Sequence, residues 1–431
     1  MGNPILLWRT MTAPATTTAP RFFFGWWQVV VAAVQGFYAV GGASFAAGVF
    51  YIPMRDELGW SASLIFGTLS LRMMAGGIAG ATLGPLAEHR WAPRAIMPVG
   101  AVLMALSFIM VKWAETPFHF VLWYGIVGAA GTALASPVVL EAIAVKWFVR
   151  RRAAAMTWFQ VGPPMGVLAF PVVLTALIAW LGWRDAWLWS GLSILVVMLP
   201  LTFLVRSQPE DMGLLPDGDA APPPTRGPER PANYDTGLTA KQALRTQAFW
   251  LLTIAAFVGM FGFPGYQSHW VPYFREIGFD AATAAFGVFV FGVFSVSSRF
   301  VWGYLASRFE VRPVFAVQML LSAVGVVIIL LIKNEAMLLV WAVAQGLTMG
   351  SFFQLQAILT PIYFGRQHIG AIRGMMWMPM NLAAGIAPLA LERLHAWRGD
   401  YNAAFLMVLV FWLITALLVW LSRAPGRVVR G

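Results

Sequence analysis

AATAAFGVFVFGVFSVSSRFVWGYLA, residues 281–306, decides the fold. It is long enough to cross ~30 Å of hydrocarbon as a helix at ~1.5 Å per residue. Arg299 is its only charge. An arginine at the centre of a lone helix in lipid costs about 2.5–3.5 kcal/mol on insertion scales, so such a residue normally turns toward a polar interior. The stretch therefore predicts a membrane helix packed among others, with Arg299 on its inner side. The uniform apolarity excludes a barrel strand, which would alternate between polar and apolar faces.

Eleven further runs resemble it. The twelve begin near Gly25, Ala62, Ala95, Phe118, Ala153, Ala186, Phe249, Ala281, Val314, Met337, Ile369 and Ala403. The chain is 59% hydrophobic and 11% charged, with mean hydropathy +0.72, a composition foreign to soluble domains. The backbone of each run must satisfy its own hydrogen bonds, which predicts twelve helices and an all-α membrane protein. With no cysteine, disulfides and thiolate metal sites are excluded. The five histidines form no HxxxH or HExxH pair, so neither a metal nor any other cofactor is expected. No nucleophile–base constellation stands out, and an enzyme is not expected.

The net charge of +11 is topological. Outside the helices, twenty Lys and Arg fall on one side of the membrane and seven on the other. The positive-inside rule then places both termini in the cytoplasm, in a multi-pass protein of the bacterial inner membrane. This distribution argues against nucleic acid as a partner and for the lipid bilayer.

Residues 1–21 are rich in Thr, Ala and Pro and read as a disordered cytoplasmic N-terminus. Residues 22–206 hold six runs, and 247–422 hold six more. Between them, 207–246 is polar, Pro- and Gly-rich and reads as a flexible cytoplasmic linker; 423–431 is a basic cytoplasmic tail. The two sets of six are related. GWSAS at 59–63 matches GFDAA at 278–282, and Gly84-Pro-Leu-Ala matches Gly303-Tyr-Leu-Ala, both at an offset of 219. KWFVR at 146–150 matches IYFGR at 362–366 at an offset of 216. Two parallel six-helix repeats with a site between them are the architecture of alternating access.

On these features the chain resembles the major facilitator superfamily. Within it, the chain resembles the monocarboxylate transporter and oxalate/formate antiporter branch. GWWQVVVAA (25–33), ELGWSAS (57–63), KWFVRRRAAAM (146–156), QPEDMGLLPDGD (208–219), SRFVWGYLASRF (298–309) and YFGRQHIGAIRG (363–374) carry the resemblance. It implies a pseudo-twofold 6+6 bundle and a carboxylate bound by Arg299, whose planar fork suits that group. It also implies a conformational motif formed by Gly84, Glu88 and Arg94, with a second copy at Gly303 and Arg308. Here Glu88 replaces the family's aspartate, and Ser307 occupies the acid position of the second copy. Ser295 stands where proton-coupled carriers have an aspartate, and it cannot titrate. Helix one has no lysine, and Asn381 is the polar residue nearest the antiporter's helix-eleven lysine.

Arg72 begins a ladder with Gly76, Gly80 and Gly84 on one helix face, and such small-residue faces pack against other helices. It could contact the far end of a dianion, attract anions at an outer site, or brace helices. Tyr124, Tyr266, Gln267, His269 and Asn381 are the other candidate substrate contacts, and Glu141 and His269 the candidate coupling groups. Glu141 also reads as the partner of a nearby arginine. GPPMG (162–166) should bend helix five while its glycines permit close packing.

The expectation is a secondary active transporter of a small organic anion, a monocarboxylate, coupled to protons or to a counter-anion. Exchange of one small mono- or dicarboxylate for another is an alternative. Export of a drug or organic cation is a further one, which would call for more buried acid than Glu141 supplies.

Overall fold

The computed structural model describes residues 23–83, 92–135, 137–219 and 237–425. Twelve helical segments follow in order: α1 (25–58), α2 (Ala62–Leu83), α3 (Pro93–Trp113), α4 (Pro117–Trp147), α5 (Arg152–Leu181) and α6 (Trp183–Thr202). The second set is α7 (Gln247–Ser268), α8 (Ala281–Arg308), α9 (Val311–Leu330), α10 (Glu335–Phe364), α11 (Ile369–Arg398) and α12 (Asn402–Leu421). Each begins within three residues of an apolar run in the sequence. α3 to α12 are long and apolar enough to cross a membrane. Large apolar side chains such as Trp180, Val172, Leu389 and Trp397 stand exposed on the outer surface, where a soluble protein would bury them.

The internal repeat extends to local chemistry. The Ser61 hydroxyl accepts the Leu64 N–H at 3.3 Å at the start of α2. At the equivalent start of α8, 219 residues later, Asp280 Oδ1 accepts the N–H groups of Ala282 and Thr283 at 2.8 and 3.0 Å. Each side chain satisfies donors that a helix N-terminus leaves open. α1 and α7 both widen midway into a π-helical turn, Phe37–Gly42 and Phe261–Gly265.

The two halves meet unevenly. One continuous core joins the linker-side ends of the first half, including Val29, Ile143, Trp147 and Met156, to the interior of the second. The far-side core of the first half, built on Phe50, Phe108, Tyr124 and Trp187, is a separate cluster. The apolar core that spans both halves therefore lies toward the face that carries the linker, where polar contacts such as Arg366 to the Lys146 carbonyl also join them.

The beginning of the linker adds to these contacts. Residues 209–218 form two short 3-10 turns, not the fully flexible tether expected of 207–246. Asp217, buried and held at φ 62°, accepts the backbone N–H groups of Val149, Arg150 and Arg151. Asp219 pairs with Arg150, and Glu210 with Arg366 at 2.8 Å. Arg150 and Arg366 are equivalent in the repeat, so this one segment grips the matching corner of each half.

Candidate functional site

Arg299 sits nine residues before the linker-side end of α8, about 13 Å in along the axis. It is 7% exposed. Its Nε donates to the carbonyl of Gln160 at 2.6 Å, across the boundary between the halves. Its Nη1 donates to the carbonyl of Ser295, one turn back, and to the Ser295 hydroxyl at 3.2 Å. Its own carbonyl accepts from the Gln354 amide at 3.0 Å. Among the described residues no carboxylate lies within ion-pair distance of Arg299, and its Nη2 has no protein acceptor. All its protein partners are neutral.

GPPMG explains how Gln160 can serve. In a continuous helix the carbonyls of Phe159 and Gln160 would receive the N–H groups of residues 163 and 164. Both are prolines and have none. The helix is interrupted at Gln160–Val161, and the unclaimed Gln160 carbonyl is the one that takes Arg299. The motif's glycines bring α5 against α1: a Cβ on Gly162 would lie 1.9 Å from the Ala33 carbonyl oxygen, and one on Gly166 2.3 Å from that of Phe37.

Beside Arg299 the halves are joined by an ion pair. Glu141 of α4 accepts from Arg373 of α11 through Nε, at 2.9 Å, and through Nη2. Both side chains are almost wholly buried, at 3% and 2% exposure. Gln160 Nε2 donates to the other oxygen of Glu141 at 3.3 Å. Gln160 therefore touches both Arg299 and the ion pair. Around them, Gln354 donates to the Thr157 hydroxyl at 2.6 Å, and Arg366 to the Lys146 carbonyl at 2.9 Å, again between halves. At the Gln160 contact itself two buried arginines, Arg299 and Arg373, accompany a single glutamate, Glu141, so positive charge exceeds negative there.

The other expected residues are dispersed. Arg72 is buried within the first half. It donates to the Tyr124 carbonyl at 3.3 Å and the Thr132 hydroxyl at 3.0 Å, and lies 5.0 Å over the Tyr124 ring. This geometry braces α2 against α4. Tyr266 is fully buried among Trp270, Phe405 and Trp412. Gln267 is half-buried on α7, and Asn381, half-buried on α11, donates to the Trp377 carbonyl at 2.9 Å. His269 bonds the Pro388 carbonyl at 3.3 Å and lies 3.7 Å from Glu392, at the face remote from Arg299. Gly84 and Glu88 lie outside the described residues. Arg94 and Arg308 are exposed on the linker side.

Gly303 lies at the contact between halves. A Cβ there would fall 2.0 Å from the Thr157 hydroxyl and 2.7 Å from the Gln354 amide nitrogen. Gly303→Ala should displace the Gln354 amide from the Arg299 carbonyl and destabilise the closed form by about 1–3 kcal/mol. Thermal unfolding in detergent reads this as a lowered midpoint; an unchanged midpoint would show that the contact yields freely.

Sequence reading missed Arg373, which it counted with the basic residues of the linker-side loops. It also missed Gln160, Thr157 and Gln354. The signal for Arg373 was its position five residues into an apolar run; the signal for Gln160 was the missing N–H four residues downstream.

The Major Facilitator Superfamily model matches residues 31–290 and 270–430. The chain belongs to the major facilitator superfamily. It is 27% identical over 396 residues to human monocarboxylate transporter 11, covering 89% of this chain and 80% of that protein. It is 22% identical over 427 residues to the oxalate:formate antiporter of Oxalobacter formigenes, covering 97% of each. Among solved structures it superimposes on the proton:xylose symporter XylE with a TM-score of 0.68 at 16% identity, over 93% of this chain and 96% of that one. It superimposes on FucP in the outward conformation with a TM-score of 0.66 at 14% identity, over 92% and 99%. At such identities these structures establish the fold alone. Fold and relatives together make the chain a multi-pass membrane transporter.

Proposed function

We propose that this carrier moves a small organic anion, a monocarboxylate, across the cytoplasmic membrane by alternating access, with Arg299 binding the carboxylate. The observation that carries this reading is a buried guanidinium at the boundary of the halves with neutral partners and one nitrogen without a protein acceptor. A cation left so is costly to enclose, and a carboxylate would complete its hydrogen bonding and cancel its charge. The relatives named as carriers of monocarboxylates, oxalate and formate agree with that chemistry. On this reading the linker face is cytoplasmic, both termini lie inside, and the halves rock about the boundary.

Exchange of one anion for another fits better than proton symport through Arg299's own partners. Ser295 and the Gln160 carbonyl hold that arginine, and neither takes up a proton in the physiological range. An organic-cation substrate is disfavoured by the excess positive charge at the site.

The reading is tested by thermal stabilisation of the purified protein across monocarboxylates, dicarboxylates, inorganic anions and organic cations. A stabilising shift confined to carboxylates supports it. A shift with cations alone overturns the anion assignment.

A further inference from the structure

Gln160 contacts two systems through different atoms. Its backbone carbonyl, left open by Pro164, accepts Arg299 Nε at 2.6 Å. Its side-chain amide donates to Glu141 at 3.3 Å, and Glu141 is bound to Arg373 of the other half. A carboxylate binds guanidinium most strongly through two parallel hydrogen bonds. Each edge of Arg299 that includes the available Nη2 also includes an occupied nitrogen: Nε, taken by Gln160, or Nη1, taken by Ser295. Ser295 is on the same helix, one turn from Arg299, and moves with it. Gln160 belongs to the opposite half.

We propose that Gln160 is a positioning residue that ties occupancy of Arg299 to the closure of the linker face. The inference rests on the carboxylate reading of Arg299. An incoming carboxylate takes the Nε–Nη2 edge and displaces the Gln160 carbonyl. The displaced residue draws its amide from Glu141, weakening the Glu141–Arg373 pair that joins the halves. The empty carrier holds its arginine with a neutral stand-in, and exchange of that stand-in for a carboxylate is what reports binding to the closure. The proline at 164 is essential because it prevents the helix from claiming the carbonyl.

The native chain has no cysteine, so Lys146→Cys introduces a single thiol. Lys146 is 6% exposed, and its backbone carbonyl receives Arg366 from the other half, so a thiol there reacts as the linker face opens. Maleimide labelling is followed in vesicles with and without lactate, formate or oxalate. In the parent, a carboxylate should speed labelling. Gln160→Ala keeps the carbonyl and removes the amide; it should still be thermally stabilised by the carboxylate, while its labelling rate no longer responds. Pro164→Ala supplies an N–H to the Gln160 carbonyl and should raise labelling without ligand by about tenfold, the equivalent of one weakened charge-assisted hydrogen bond. Pro163→Ala supplies its N–H to Phe159 instead and should label like the parent.

Equal behaviour of the two proline variants would overturn the proposal, because a kink alone would then account for both. So would a carboxylate response that survives in Gln160→Ala. If no carboxylate alters parental labelling, the substrate reading fails. The ligand-free contrast between Pro164→Ala and Pro163→Ala still decides whether the carbonyl matters to closure.

Discussion

Arg299→Lys is expected to lower carboxylate uptake by about 100-fold or more while leaving the protein in the membrane. A lysine keeps the charge but not the fork. Arg299 now spans Gln160 of one half and Ser295 of the other while keeping Nη2 for a ligand. An ammonium cannot hold both and present a planar edge as well. Hydrogen bonds to charged groups are worth about 1.5–3 kcal/mol, and losing two places the defect at two orders of magnitude or beyond. Arg299→Ala should abolish uptake. Neither change removes apolar length from α8, so both variants should reach the membrane in normal amount. The measurement is initial uptake of radiolabelled carboxylate in vesicles, normalised to carrier content. Uptake by Arg299→Ala at the wild-type rate would remove Arg299 from the site and leave its neutral partners as a structural brace.

The fold was legible because its determinants are periodic and local. Apolar length alone locates helix starts to within three residues, and the 219-residue offset pairs Ser61 with Asp280 as helix caps. The burial of Arg299 was legible because a lone charge deep in an apolar run seldom faces lipid. Arg373 was not. It is the fifth residue of its helix, where a sequence cannot distinguish a side chain that reaches solvent from one buried against Glu141, 232 positions earlier in the chain. Its burial depends on how two halves dock, and no window of sequence contains that information. Arg72 shows the converse. Sequence reading brought it inward correctly, yet inward in a six-helix half includes the half's own interior, and Tyr124 and Thr132 claim it there. The linker marks a third limit. Its composition suggests flexibility, but Glu210, Asp217 and Asp219 each find a partner at a helix end, and composition does not reveal partners.

The second large effect should appear at Glu141 and Arg373, where single and double replacements should part company. Glu141→Gln leaves the Arg373 guanidinium buried without a counterion, and its Nη1 is already without a hydrogen-bond partner. Breaking one side of a buried pair costs about 3–5 kcal/mol, whereas replacing both members with apolar residues of similar volume is often neutral. Glu141→Gln and Arg373→Met should therefore each lower the unfolding midpoint and expose the Lys146→Cys thiol without ligand. The double variant Glu141→Leu with Arg373→Met should recover most of the lost stability. It should not recover transport. When the linker face opens, the native pair regains its hydration, which offsets part of the attraction lost on separation. An apolar seam has no such compensation and must expose hydrophobic surface to water, so it favours the closed form. Stability restored with uptake still depressed and Lys146→Cys protected would identify the pair as a reversible latch. Restoration of both would show that its charge serves only to hold the halves together.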